Sequence, residues 1–335
     1  MPELRLNMIT REWVIVAKEK MKKPESFIKP EGKKKHPEYV DICPFCPGNE
    51  EKAPGEVYRI HDEKGWKIRV ILNKFSILSK DGERRRINTE MKKRVNGVGR
   101  HEVIVETPLH NQVMATMPVE QLKEVIQTYK ERMIELYKDP RVEYVIIFKN
   151  SGHDSGTPIE HPLSQIVGMP ITPLEIRSRI ENQMKFFDDN GECLICKTIG
   201  DELNDGLRIV HNTDHFLSFV PYAALSPFHL WIFPKRHSGS FSDIRSEEIW
   251  DLAVNLKVTM SKIYYGLENP DFNFVIRSGR LGTCDAEYLH WYVSVLPRVS
   301  TLTGFELGTG IFINPLAPEA SAEFLRQVKI PEHAG

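Results

Sequence analysis

The sequence has no long hydrophobic run, almost no net charge and few cysteines, and each shortage removes a class of protein. Its longest apolar stretches, such as Tyr144-Val145-Ile146-Ile147-Phe148, are strand-sized. A membrane helix needs roughly 20 apolar residues, so no membrane partner is expected. The segment from Met1 to Arg11 mixes Glu, Arg, Asn and Thr without an apolar centre. No secretory signal is visible there, and a cytoplasmic setting is expected. A net charge of -1 supplies no field for nucleic acid. The basic clusters Lys33-Lys34-Lys35-His36, Arg84-Arg85-Arg86 and Lys92-Lys93-Arg94 read as solvated loops.

What is present is ordinary in amount and unusual in order. The chain has 335 residues, 41% of them hydrophobic and 27% charged, which suits a soluble protein of two domains. Its five cysteines are two Cys-x-x-Cys pairs, Cys43/Cys46 and Cys193/Cys196, with Cys284 left over. In a cytosolic chain such pairs are metal ligands or redox groups more often than disulfides.

The chain is written twice. Each half starts with a knuckle, Cys43-Pro44-Phe45-Cys46 or Cys193-Leu194-Ile195-Cys196. A strand-like segment ending in histidine follows, Glu102 to His110 or Leu230 to His237. A long amphipathic helix comes next. Pro118 to Lys138 carries Leu122, Val125, Ile126, Tyr129, Met133, Ile134 and Tyr137 at helical spacing. Ser246 to Leu267 carries Ile249, Leu252, Ala253, Leu256, Met260 and Ile263. Each half then has a strand closing on Ser-Gly, Tyr144 to Gly152 or Phe272 to Gly279, and a strand opening on His161 or His290. His110 and His161 are 51 residues apart, and His237 and His290 are 53 apart. The order of elements predicts an α+β fold in which an antiparallel sheet crossed by one long helix occurs twice.

Each half thereby supplies two Cys and two His at equivalent places. The sets are Cys43, Cys46, His110, His161 and Cys193, Cys196, His237, His290. Two thiolates and two imidazoles are what a closed, tetrahedral zinc site takes, so two zinc ions per chain are expected. A lone Cys-x-x-Cys would read equally as a redox pair; two pairs with matched histidines do not. His36, His211, His215 and His333 show no such pairing.

These residues resemble the galactose-1-phosphate uridylyltransferase family of the histidine-triad superfamily, with the ADP-glucose phosphorylase-like branch nearest. The resemblance spans nearly the whole chain. It rests on Glu3-Leu4-Arg5 with Trp13-Val14-Ile15, the knuckle running on to Pro47-Gly48-Asn49-Glu50, and Phe148-Lys149-Asn150-Ser151-Gly152. It continues in His161-Pro162 with Ser164-Gln165, and in Gly304-Phe305-Glu306-Leu307-Gly308-Thr309-Gly310 before Ile313-Asn314-Pro315. The resemblance implies two histidine-triad-like half-domains, residues 1–170 and 171–335. It implies a homodimer that moves a uridylyl or adenylyl group from a nucleotide sugar to a phosphate-bearing acceptor, as in galactose and related carbohydrate metabolism. It further implies that Asn73 and Asn150 contact the nucleotide, that Gly156-Thr157-Pro158-Ile159 passes the phosphates, and that Gln165 donates to one of their oxygens. Lys20 and Lys23 fall where the family has phosphate-binding arginines, and Phe305 and Glu306 where it meets the sugar or acceptor.

One position departs from the family. Its nucleophilic histidine follows the metal-ligand histidine by two residues, in a His-x-His-x-Gln pattern. On a strand that spacing puts both side chains on one face, one for the metal and one for phosphorus. Here the segment reads His161-Pro162-Leu163-Ser164-Gln165. Leucine has no lone pair, so a covalent nucleotidyl intermediate at Leu163 is excluded. Three readings follow: a transferase that has lost its nucleophile, an enzyme using another route with His153 or Asp154 as substitute, or a zinc-containing nucleotide-binding or regulatory protein without chemistry.

Overall fold

The computed structural model describes residues 1–16, 22–28 and 36–331. The chain opens with β1 (Glu3–Leu6) and β2 (Trp13–Val16). It continues through β3 (Glu56–Asp62), β4 (Gly65–Leu72), β5 (Arg86–Thr89), β6 (Lys92–Val95) and β7 (Arg100–Val105). Helix α1 (Val119–Tyr137), β8 (Tyr144–Ser151) and β9 (Leu163–Met169) complete the first half. Helices α2 (Leu174–Asn190) and α3 (Leu194–Asp205) lead to β10 (Ile209–Asn212), β11 (Phe216–Phe219) and β12 (Leu230–Pro234). Then come α4 (Ser246–Gly266), β13 (Phe272–Arg277), β14 (Tyr292–Pro297), α5 (Gly304–Thr309), β15 (Phe312–Asn314) and α6 (Pro318–Gln327).

The two halves do not keep separate sheets. Strand order is β10-β11-β12-β14-β13-β8-β9-β7-β4-β3, with β8 paired to β13 at the centre. Each half alone would leave one of these strands as an open edge with unpaired backbone groups, and pairing them removes both edges. Each half supplies the expected antiparallel sheet, five strands in each, and the two join edge to edge into one ten-stranded sheet. A second contact also crosses the expected division at residue 170. β15 runs parallel to β2, so the opening hairpin packs with the second half.

Both long helices lie on one face of the sheet. Leu122, Val125, Ile126, Tyr129 and Met133 of α1 share a core with Ile249, Leu252, Leu256 and Met260 of α4. Leu136 completes the α1 stripe, whereas Ile134 and Tyr137 are only partly buried. Burying each such side chain contributes about 1.5–3 kcal/mol, which is what holds helices of ordinary propensity to the sheet. α4 starts as its Ser-Glu-Glu run suggests, with Glu248 accepting from the Arg245 amide at 2.8 Å. The opposite face carries two smaller apolar clusters, one around Leu163, Val103 and Trp66, the other around Leu194, Phe219 and Tyr292. The metal-ligand sets stand beside these two clusters.

Some local expectations change. Arg86 and Lys92–Arg94 lie in the β5–β6 hairpin, Arg84 and Arg85 keep to the loop before it, and Lys33–Lys35 lie outside the described residues. β7 ends at Val105, before the Pro108 that cannot extend a ladder, so His110 sits in the following turn. No helix among the described residues is long and apolar enough to cross a membrane.

Candidate functional site

The fold brings both ligand sets together. Cys43, Cys46, His110 and His161 place one donor atom each within 4.8 Å of the others, and so do Cys193, Cys196, His237 and His290. In the first set, Cys46 Sγ is 3.5 Å from His110 Nδ1 and 3.7 Å from His161 Nδ1. In the second, Cys196 Sγ is 3.3 Å from His237 Nδ1 and 3.5 Å from His290 Nδ1. Tetrahedral zinc, bound at about 2.3 Å to sulfur and about 2.0 Å to nitrogen, separates such atoms by about 3.5 Å.

The outer nitrogens fix which end of each ring faces the cluster. His161 Nε2 donates to Thr107 O at 2.9 Å, His290 Nε2 to Pro234 O at 2.9 Å, and His237 Nε2 to Ala286 O at 3.2 Å. Each bond holds the proton on Nε2 and leaves the Nδ1 lone pair for a metal. His110 differs: its Nε2 lies 3.6 Å from a Glu160 carboxylate oxygen. Burial pushes the His161 imidazole down to about 4, which keeps it neutral, as a ligand must be. The two knuckles are built differently. Cys43 and Cys46 lie in a turn braced by Asn49, whose amide donates to Cys43 O at 2.9 Å. Cys193 caps the N-terminus of α3, a helix that the sequence reading did not anticipate.

Beside the first cluster two cavities meet at Leu163. One, of about 530 Å³, is lined by Lys149, Asn150, His153, Asp154 and Thr157, with Asn269 and Asp271 from the second half. The other, of about 470 Å³, lies over the knuckle and is lined by Asn73, Phe75, Gln165, Lys52 and Lys74. Pro158, Ile159, Glu160, His161 and Leu163 border both. Leu163 is 4% exposed and packs in the apolar cluster with Val103 and Val105. It shares the outward face of β9 with Gln165, while Ser164 turns inward to the Tyr129 hydroxyl at 2.5 Å.

The amides that flank Leu163 are oriented by the protein. Asn150 Oδ1 accepts from Asn273 Nδ2 at 2.8 Å. Gln165 Oε1 is 2.8 Å from His101 Nε2 and 3.3 Å from Asn73 Nδ2. The oxygens are thus occupied, and neither NH₂ group has an acceptor among the described residues. Two such donors beside a cavity suit the oxygens of an anion. The loop between them is held by Asp271, which accepts from the Asp154 amide at 2.6 Å. A Cβ at Gly152, where φ is +88°, would lie 2.0 Å from Asp271 Oδ1, so only glycine fits.

The structure thus gathers Asn73, Asn150, Thr157, Pro158, Ile159, Leu163 and Gln165 around the cleft. His153 also lines it, with its side chain 94% exposed and Nδ1 3.7 Å from Asp154 Oδ1. Gly156 closes the turn before Thr157 without lining either cavity. Lys23 is exposed and lines neither cavity, and Lys20 lies outside the described residues. Phe305 and Glu306 stand on α5, away from both cavities; the Glu306 carboxylate accepts from the Thr303 amide at 2.9 Å. The sequence reading missed His101 and Asp271. The repeat offered a signal for His101, because His229 stands two residues before Trp231 as His101 stands two before Val103. Nothing local marks Asp271.

A duplicated sheet with a Cys₂His₂ set in each half, and a cleft beside the first, defines a two-domain histidine-triad-like protein. The family model for the galactose-1-phosphate uridyl transferase N-terminal domain matches residues 1–173, and that for the C-terminal domain matches residues 179–333. The chain belongs to the galactose-1-phosphate uridyl transferase family. It is 31% identical to an ADP-glucose phosphorylase of Arabidopsis thaliana, over 98% of this chain and 93% of that one. It is 30% identical to a galactose-1-phosphate uridylyltransferase of Thermotoga maritima, over 98% and 99%. The crystal structure of an Arabidopsis thaliana ADP-glucose phosphorylase with bound ADP-glucose superposes with a TM-score of 0.82, at 30% identity, over 99% of this chain and all of that one.

Proposed function

We propose that this protein binds a nucleotide sugar in the cleft beside Leu163 and is a nucleotidylyltransferase that passes the nucleoside monophosphate to a phosphate-bearing acceptor. The observation that carries the reading is the pair of oriented amide donors, Asn150 and Gln165, on either side of Leu163. They are placed to hold non-bridging phosphate oxygens, with Asn73 and His101 keeping Gln165 in position. The loop Gly156-Thr157-Pro158-Ile159 passes the phosphates, and Phe75, 81% exposed at the rim, offers an apolar face to the rest of the donor. The similarity to an ADP-glucose phosphorylase supports an adenylyl donor, and that to galactose-1-phosphate uridylyltransferases a uridylyl donor.

Zinc is the metal we assign to Cys43, Cys46, His110, His161 and to Cys193, Cys196, His237, His290. With four protein ligands each site is of the closed kind, and bound zinc supplies a rigid cross-link. His161 thereby fixes the start of β9, and with it Leu163 and Gln165. A cytoplasmic homodimer is part of the same proposal; α5 exposes Phe305 and Leu307 for contact with a second subunit.

Leu163 sets the limit on mechanism. No nucleotidyl-histidine can form there, so transfer runs either through the exposed His153, backed by Asp154, or by direct attack of the acceptor. One observation favours a second reading, a nucleotide-binding protein without chemistry: Leu163 is packed as a core residue in the place of the nucleophile. Incubation with labelled UDP-, ADP- and GDP-sugars and phosphate decides between them. Transfer to phosphate supports the enzyme. Tight binding without transfer supports the binding protein. Absence of nucleotide binding would overturn both.

A further inference from the structure

The second half repeats the cleft with other residues. Just before and on β14, His290 stands for His161, Tyr292 for Leu163 and Ser294 for Gln165. The ladders agree: Gln165 pairs with Val103 as Ser294 pairs with Trp231. His229 therefore takes the place of His101. Even the hydrogen bond recurs, with His229 Nε2 3.0 Å from Ser294 Oγ. The change of charge falls at Asn150, whose counterpart before Ser-Gly is Arg277. Arg179 of α2 reaches the same place and donates to the Tyr292 hydroxyl at 2.8 Å.

Among the described residues, neither of these guanidinium groups has a carboxylate within ion-pair distance. They line a small cavity with Tyr144, Gln183, Ser278 and Tyr292, and no carboxylate lines it. Against its burial, Tyr292 and the more distant Glu12 and Glu175 hold Arg179 above its ordinary value, and Glu175 acts on Arg277 as well. The Nε atom of each is buried without an acceptor. Burial, and the charge of Arg179 after it, pull Arg277 below the ordinary guanidinium range. Both residues are half-buried; charge drawn largely out of water without an ion pair is unfavourable, and an anion between the two groups would relieve their mutual repulsion and part of the lost hydration. Paired guanidinium forks match the oxygens of a phosphate in spacing and charge.

We propose that Arg179 and Arg277 form an oxyanion site for phosphate in the C-terminal half, distinct from the cleft beside Leu163. The space, about 30 Å³, opens to solvent. It admits a phosphate group at its mouth and excludes a nucleoside. The occupant is inorganic phosphate or the phosphate end of a phosphomonoester. This inference does not depend on transferase activity.

The test is equilibrium dialysis of the zinc-loaded, full-length protein with labelled inorganic phosphate. An Asn150→Ala/Gln165→Ala variant, which lacks the donors of the first cleft, should still bind phosphate. Arg277→Met and Arg179→Met in that background should each weaken binding roughly tenfold or more, the loss expected for a charged hydrogen bond. Arg277→Lys keeps the charge and should retain part of the affinity, which guards against simple misfolding. Glucose 1-phosphate displacing the label would identify a phosphomonoester as occupant; failure to displace it would leave free phosphate. Selenate soaked into crystals should give anomalous density between the two guanidinium groups. Phosphate binding that is absent, indifferent to both arginine changes, or abolished by Asn150→Ala/Gln165→Ala alone would overturn the proposal.

Discussion

Lys149 Nζ lies 2.7 Å from Glu106 Oε2, and both side chains are buried directly behind Leu163. The same ammonium donates to Leu163 O at 3.0 Å, and Tyr129 donates to the other Glu106 oxygen at 2.8 Å. The pair therefore anchors from behind the residue at which the two cavities meet. Removing one partner leaves a buried charge uncompensated. Lys149→Met should lower stability by about 3–5 kcal/mol, and Lys149→Met/Glu106→Gln should recover part of it. Urea unfolding measures both, and a loss under about 1 kcal/mol would show that the pair is not the anchor.

Leu163→His puts an imidazole on the outward face of β9, two residues from His161. If only the nucleophile is missing, this variant should gain a covalent nucleotidyl adduct on incubation with the right nucleotide sugar. Intact-protein mass spectrometry reads the added mass. An unmodified variant that still binds the nucleotide would show that the loop around His153, and not Leu163 alone, has diverged.

Asn150→Ala and Gln165→Ala each remove one oriented donor. Each should weaken nucleotide-sugar binding by about 1.5–3 kcal/mol, the range for a hydrogen bond to a charged group. His101→Leu should do part of the same by releasing Gln165. Calorimetric titration tests the series; equal affinity in all three would remove these amides from the site.

Metal content should be close to two zinc per chain, and chelation should lower Tm sharply because binding energy at a closed site is folding energy. Cys43→Ser and Cys193→Ser should each lose one zinc and not both. Metal analysis near zero in the wild-type protein would undo the assignment.

The His229 imidazole is held down to about 3 by burial, with Arg179 and Arg277 adding repulsion. The unfolded chain binds that proton near 6.5, so the unfolded form is favoured as acid is added. The contribution to stability is whole above about pH 6.5 and is lost progressively as pH falls toward 3. His229→Asn removes the titrating group and should flatten the decline of Tm between about pH 7 and about pH 5 relative to wild type. Parallel declines would assign the acid sensitivity to other groups.

Much of this protein is legible in its sequence. The repeat, the two long helices and the eight ligands stand out because each depends on short-range order: period 3.6 on a helix, alternation on a strand, and the turn of Cys-x-x-Cys. Leu163 is likewise plain from its offset of two from His161. Helix α3 is not, since Leu194, Ile195 and Ile199 can belong to a buried strand as well as a helix until packing decides.

The sequence by itself determined that there are two matched Cys₂His₂ sets and that the residue beside His161 and Gln165 on β9 cannot attack phosphorus. Only the tertiary structure decided that β8 and β13 fuse the halves into one sheet, that Asp271 of the second half braces the first half's cleft, and that His101 holds Gln165. It also decided that Arg277 and Arg179 line one small cavity and, among the described residues, make no ion pair. The reason is physical. Identity and local spacing are written along the chain, whereas pairing of strand edges and the meeting of side chains far apart in sequence depend on which faces close together to exclude water.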